Sequence, residues 1–64
     1  MNKLEQAEAL IGKLRNDSMF NLLTRLLKNG ELIQIVYAVV GALLYLDEDN
    51  KDKVTLRALA EILK

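Results

Sequence analysis

The chain has 64 residues, no cysteine and no histidine, and nine Lys and Arg residues balance nine Asp and Glu residues. These counts exclude disulfides, thiolate metal sites and the commonest metal ligand and general base, and a net charge of zero gives the chain no overall attraction to nucleic acid or anionic membranes. The 52% hydrophobic share excludes a disordered chain, and 14 leucines with no proline predict an all-α protein.

The sequence predicts a single helical domain, residues 1–64. A domain of this length is only marginally stable on its own. Burial of apolar surface contributes about 95 kcal/mol, and ordering the chain costs about the same. Small domains without disulfides or metals usually gain stability by oligomerising. We therefore expect an all-α fold, either a small four-helix bundle or paired helical hairpins, that homodimerisation completes.

The first predicted helix runs from Lys3 to about Arg15. Asn2 precedes it as a candidate N-cap, and Glu5 stands three residues later, as in a capping box. Apolar residues recur at spacings of three and four along one stripe of this helix. They are Leu4, Ala7, Ile11 and Leu14.

A polar break at residues 16–18 precedes the second predicted helix, which runs from about Met19 to Asn29. Its leucines form a wide apolar face. Asn29 and Gly30 end it, because glycine adopts the left-handed conformation that often follows a helix. We expect Gly30 to have a positive φ and to reverse the chain.

The third predicted helix, from Glu31 to about Leu46, is apolar on all sides. Residues 32–46 contain no charge. A helix of this kind must be surrounded by other apolar surface. Small residues at Ala38, Gly41 and Ala42 let another helix approach closely, and the β-branched residues beside them form an alternative ridge. We expect a homodimer interface across a two-fold axis here, and the candidate interface residues are Ile33, Val36, Tyr37, Val40, Gly41 and Leu44.

The segment from Asp47 to Lys53, DEDNKDK, is interpreted as a solvated hydrophilic linker. The fourth predicted helix follows, from about Thr55 to Lys64, with Thr55 as its N-cap. Val54 is placed to pack against Leu59 as a hydrophobic staple. Leucines at three- and four-residue spacings form the inner face of this helix.

The linker resembles the opening of a calcium loop, because it offers three aspartates, Asp47, Asp49 and Asp52. An EF-hand loop beginning at Asp47 requires an oxygen ligand at its fifth position, glycine at its sixth and glutamate at its twelfth. Lys51, Asp52 and Ala58 stand there instead. The sequence therefore predicts no metal site.

Two features point weakly to nucleic acid. The spacing of residues 55–63, TLRALAEIL, resembles the opening helix of helix-turn-helix units, but any short amphipathic helix needs the same spacing. Four cations surround the first helix junction, with Asp17 among them and no aromatic residue between them, which is typical of a solvated face. They are Lys13, Arg15, Arg25 and Lys28.

The sequence offers few side-chain combinations that could support catalysis. Its serine and threonines have no histidine base, and its three glycines are isolated, so no phosphate-binding loop is present. We expect no enzyme, no catalytic residues and no cofactor.

The function that we predict is a non-catalytic protein–protein interaction or self-association module, acting as a small regulator. The expected partner is a second copy of the chain, and an unidentified protein is a further candidate. Two alternatives stay open: a small nucleic-acid-binding regulator that acts as a dimer, and a membrane-associated helical protein that uses residues 32–46. Both are less favoured, because the net charge is zero and 15 uncharged residues are too few to span a bilayer. The charged residues of the N-terminus, Lys3, Glu5 and Glu8, do not match a secretory signal, so we expect a cytoplasmic protein.

Overall fold

A computed structural model describes residues 2–30, 32–46 and 52–64 of the chain. Within these ranges the regular elements are four α-helices: α1 (Lys3–Ile11), α2 (Asp17–Lys28), α3 (Ile33–Leu46) and α4 (Lys53–Leu63). No β-strand occurs in the described ranges. The all-α prediction is confirmed.

Helix α4 has the most extensive contacts, because it packs along both α1 and α3. Helix α1 also contacts α2, and α2 contacts α3. The four helices enclose one apolar core, to which each of them contributes at least two buried side chains. The core residues are Ala7, Ile11, Leu14, Met19, Leu23, Val36, Val40, Leu56, Leu59 and Leu63.

Asparagine side chains cap the first two helices. The Asn2 Oδ1 atom accepts a hydrogen bond from the Glu5 backbone N–H at 2.8 Å, which confirms the predicted N-cap of α1. Asn16 Oδ1 accepts from the Met19 N–H at 3.1 Å. Because the cap is the first residue of the polar break, α2 begins at Asp17, two residues before the predicted start.

Helix α1 is shorter than predicted. It ends at Ile11 instead of continuing to Arg15, and Gly12 is its C-cap. Two tight turns follow, with Lys13 N–H donating to the Leu10 carbonyl and Leu14 N–H donating to the Ile11 carbonyl. These turns keep Leu14 in the core although it lies outside the helix.

The predicted start of α4 is wrong. The helix begins at Lys53, so Thr55 lies inside its first turn and does not cap it. Val54 is 78% exposed and forms no staple against the core. The N-cap position belongs to Asp52, whose carbonyl accepts the first helical hydrogen bond from Leu56 N–H at 2.8 Å.

The interpretation of the linker as solvated is wrong at Asp52, because this residue is only 3% exposed. Its carboxylate does not cap its own helix. One oxygen, Oδ1, accepts from the Arg15 N–H at 2.8 Å, and the other, Oδ2, accepts from the Asn16 N–H at 3.0 Å. Lys53, the last residue of the predicted linker, begins α4. Residues 47–51 lie outside the described part of the chain, and with them Asp47, Asp49 and Lys51 of the calcium-loop comparison.

The Asp52 carboxylate therefore joins the beginning of α4 to the connection between α1 and α2. A carboxylate that accepts two backbone N–H bonds forms charge-assisted hydrogen bonds, which are about twice as strong as neutral ones. The negative charge also lies at the positive end of the helix dipoles of α2 and α4. This contact fixes the α1–α2 junction against the start of α4 across the long separation in sequence.

Asp52→Ala is expected to lower the free energy of unfolding by about 3 kcal/mol, because two partly buried N–H groups lose their acceptor. Asp52→Asn retains a single acceptor oxygen, so we expect a loss roughly half as large. Urea denaturation followed by circular dichroism measures both. The matched control is Asp17→Asn in the exposed first turn of α2, which should change stability by no more than about 0.5 kcal/mol. An Asp52→Ala variant as stable as this control would contradict the assignment.

Gly30 has a φ of +71°, which confirms the predicted left-handed residue after α2. Replacing it with valine should destabilise the protein by about 1 kcal/mol or more, because β-branched residues are strained in this conformation. Gly12→Ala is the control, since Gly12 has a φ of −62° that alanine adopts freely. Thermal unfolding should show a loss for Gly30→Val and no loss for Gly12→Ala; equal melting temperatures for the two variants would refute the strain argument.

Candidate protein interface

Among the described residues, the other three helices cover α3 on one side only. Val36 and Val40 are completely buried, and Val39, Leu43 and Leu44 are partly buried against the same core. The remaining described side chains of α3 are exposed. The other three helices therefore leave part of this apolar helix uncovered.

The structure divides the six predicted interface residues into two groups. Val36 and Val40 lie in the core of the chain itself, so they are not accessible to a second molecule. Ile33, Tyr37 and Gly41 are exposed, and Leu44 is half-buried beside α4. An apolar stripe on a helix that is apolar all round does not reveal which side faces the core, which is why the sequence could not separate the groups.

The side of α3 opposite Val36 and Val40 is here called the outward face. Because successive residues of an α-helix are rotated by about 100°, the residues farthest from the core follow from the buried pair. They are Gln34, Ile35, Ala38, Gly41, Ala42 and Tyr45, and all six are exposed. Three of them are the small residues that the sequence analysis identified as a seam for a close helix contact.

Large apolar side chains are exposed on this face, beside it and at the start of the helix. Their exposed fractions are 66% for Leu32, 40% for Ile33, 43% for Ile35, 41% for Tyr37, 83% for Tyr45 and 76% for Leu46. With about 200 Å² for a fully exposed large side chain, they leave roughly 700 Å² outside the fold. Leu32 and Ile33 lie on the same side of the helix as the buried pair, so the continuous part of this surface comes from the other four side chains, which expose roughly 490 Å². The largest apolar patch of a typical soluble monomer is about 300–600 Å² and is often functional.

The outward face also has room for a neighbouring backbone. A Cβ atom built on Gly41 meets no other atom within 4 Å. Nothing in the chain itself therefore requires glycine at this position. Small side chains on an exposed helix face allow a second helix to approach more closely than leucines would.

A second feature, the groove between α3 and α4, was not predicted from the sequence. One depression of about 300 Å³ is lined by Tyr37 and Leu44 of α3 and by the last two turns of α4. A second depression of about 450 Å³ lies between Leu44 and Tyr45 of α3 and the first turns of α4, at Lys53 and Arg57. The end of α3 thus lies beside the start of α4, and the two helices run antiparallel.

Cations line the α4 side of this groove, at Lys53, Arg57 and Lys64. Glu61 also lines the groove, and its Oε1 atom lies 3.9 Å from Lys64 Nζ. The sequence signal was the spacing of these residues along one side of α4, which the leucine pattern on the opposite side obscured. Those leucines, Leu56, Leu59 and Leu63, are buried, so the spacing that resembles a helix-turn-helix unit here forms the core.

The described residues contain no group of three or more His, Cys, Asp or Glu side chains arranged to hold a metal ion. None of the helices in these ranges has both the length and the apolar character that crossing a bilayer requires. Comparison of the chain with protein-family models, with curated proteins and with solved structures finds no match.

Proposed function

We propose that this chain is a non-catalytic self-association module, which forms a homodimer by packing the outward face of α3 against the same face of a second copy. The observation that carries the proposal is the uncharged, largely exposed surface of α3. Residues 32–46 contain no charged side chain, and only Gln34 and the two tyrosines bring polar groups to α3. Such a surface gains most from contact with another apolar surface.

The size of the exposed surface supports a dimer. A standard protein interface buries about 800 Å² on each partner, and the large side chains on and beside the outward face, Ile35, Tyr37, Tyr45 and Leu46, expose roughly 490 Å². A contact centred on Ala38 and Ala42 would cover the outward face and reach the side chains around it. The large side chains would therefore supply more than half of such an interface, and the small residues and Gln34 between them would add to it.

A second copy is the occupant that fits this face best. The face offers no pattern of charges that a charged partner could match, whereas a two-fold axis brings two identical apolar faces together without any mismatch. The small residues allow the two helix backbones to approach closely at the axis. Association also explains how a chain of 64 residues supplements the limited core of one copy.

Ala38→Lys tests this proposal, because it places a charge at the centre of the outward face. An unpaired lysine in an apolar contact is costly, so the dissociation constant of the dimer should rise about tenfold or more. The matched control is Ala9→Lys, which makes the same change at an exposed position of α1. Sedimentation equilibrium over a range of concentrations gives the masses. A wild-type chain that remains at 7.2 kDa at high concentration would overturn the proposal.

Gly41→Leu separates the proposed contact from the stability of a single copy. Because a Cβ atom at Gly41 has open space around it and the position is exposed, leucine should leave the fold of one copy intact. It should weaken the dimer, since added bulk in a close helix contact typically costs about 1–3 kcal/mol. A dimer as tight as the wild type would show that the two α3 helices do not meet at this face.

A further inference from the structure

Two polar side chains, Gln34 and Tyr45, lie on the outward face of α3, near its two ends. We infer that the two α3 helices of the dimer pack antiparallel, so that Gln34 of each copy forms a hydrogen bond with Tyr45 of the partner subunit. This pairing rests on the proposed self-association and deepens it, because it names the side chains that select a second copy over other apolar surfaces.

The two polar residues belong to a line of exposed residues along the middle of the outward face, here called the contact line. Its members recur at spacings of four, three and four residues, the pattern by which one helix contacts another over several turns. They are Gln34, Ala38, Gly41 and Tyr45, and all four are exposed. The polar side chains thus stand at the two ends of the contact line, and small residues occupy its middle.

Gln34 and Tyr45 cannot bind each other within one copy. They are 11 residues apart in the sequence, which separates them by about 16 Å along the helix axis. Neither side chain has a hydrogen-bond partner among the described residues, and both are exposed to solvent. Contact with a purely apolar partner would displace their water and leave an amide and a hydroxyl group unpaired, which is unfavourable.

An antiparallel pair provides both groups with a partner through one symmetry axis. A two-fold axis that crosses the contact line at its midpoint places Gln34 level with Tyr45 of the partner subunit, where the tyrosine hydroxyl can donate to the glutamine side-chain carbonyl. The polar contact occurs twice, because the axis repeats it at the other end. The same axis places Ala38 level with Gly41 of the partner subunit, so the two backbones come closest near the axis.

A parallel pair matches the same face less well. It would place each residue of the contact line beside its own copy, so that two tyrosine rings meet at one end and two glutamines at the other. It would also bring the two C-terminal ends of α3 together, and three acidic residues, 47–49, follow each of these ends in the sequence. An antiparallel pair instead places each C-terminal end beside the N-terminal end of the other helix, where the partial charges of the helix dipoles attract.

The polar pair makes the contact selective. An amide within an apolar contact lowers the affinity for every surface that offers it no hydrogen bond, and only a partner with a hydroxyl or amide at the matching level avoids this penalty. A polar residue at one position of a helix contact also fixes its register and orientation. Gln34 is therefore the residue that determines specificity, and Tyr45 of the partner subunit is its complement.

A mixture of two variants tests the pairing. Gln34→Leu and Tyr45→Phe each leave one group unpaired in both polar contacts of a homodimer, so each dissociation constant should rise about tenfold or more. A mixed dimer of the two variants retains one complete polar contact and makes the other one wholly apolar. It should therefore be about tenfold tighter than either homodimer. Native mass spectrometry with one chain isotopically labelled resolves the three species.

The double variant, Gln34→Leu with Tyr45→Phe, should dimerise at least as tightly as the wild type, because both members of each pair are then apolar. Tyr37→Phe is the matched control: it removes the same hydroxyl group from a tyrosine outside the contact line and should dimerise like the wild type. Sedimentation equilibrium gives these dissociation constants. Additive losses in the double variant, or a mixed dimer no tighter than the homodimers, would overturn the inference.

Single cysteines report the orientation directly, because the chain contains none of its own. A mixture of Gln34→Cys and Tyr45→Cys chains should form disulfides between unlike chains on oxidation. Either variant alone should form none, since its two sulfurs lie on the order of 16 Å apart in an antiparallel pair, too far for a disulfide. Efficient disulfides within either variant alone would show a parallel pair and overturn the inference.

The mass of the wild type keeps the two proposals distinguishable. A wild type that dimerises, but whose variants show neither the tighter mixed dimer nor the mixed disulfide, would overturn the antiparallel pairing and leave self-association standing. A wild type that remains a single chain at high concentration would overturn the self-association, and the pairing with it.

Discussion

The uncharged length of α3 is the constraint on which the rest of this structure depends. Three short helices can cover one side of it, and they do so with buried contacts at Val36 and Val40. The opposite side remains exposed because the chain has no further element to place there among the described residues. Different residues of the same helix thus supply the core of one copy and an exposed apolar surface, so the association that we propose would be linked to folding through one helix.

Asp52 fixes the position of α4 relative to α1 and α2. Its carboxylate binds the backbone of Arg15 and Asn16, so the start of α4 is held beside the α1–α2 junction. With α4 in this place, its leucines reach the core while its cations border the groove beside α3. A single buried acidic residue therefore helps to set both the packing of the core and the position of the basic side of the groove.

Local signals in the sequence predicted much of this fold, whereas contacts between distant residues were missed. The Asn2 cap and the positive φ of Gly30 follow from neighbouring residues, and both are confirmed. The role of Asp52 depends on backbone groups 36 and 37 residues away, which no local pattern reveals. The orientation of α3 was ambiguous for a different reason: periodicity identifies a buried side only when the other side is polar.

The central claim is that the outward face of α3 contacts the same face of a second copy. Isotope-filtered nuclear Overhauser measurements on an equal mixture of labelled and unlabelled chains test it most directly, because they detect only contacts between chains. The account predicts intermolecular signals from the methyl groups of Ala38 and Ala42 and from the ring of Tyr45. A sample without intermolecular signals, or with signals confined to exposed α2 residues such as Phe20 and Leu22, would contradict it.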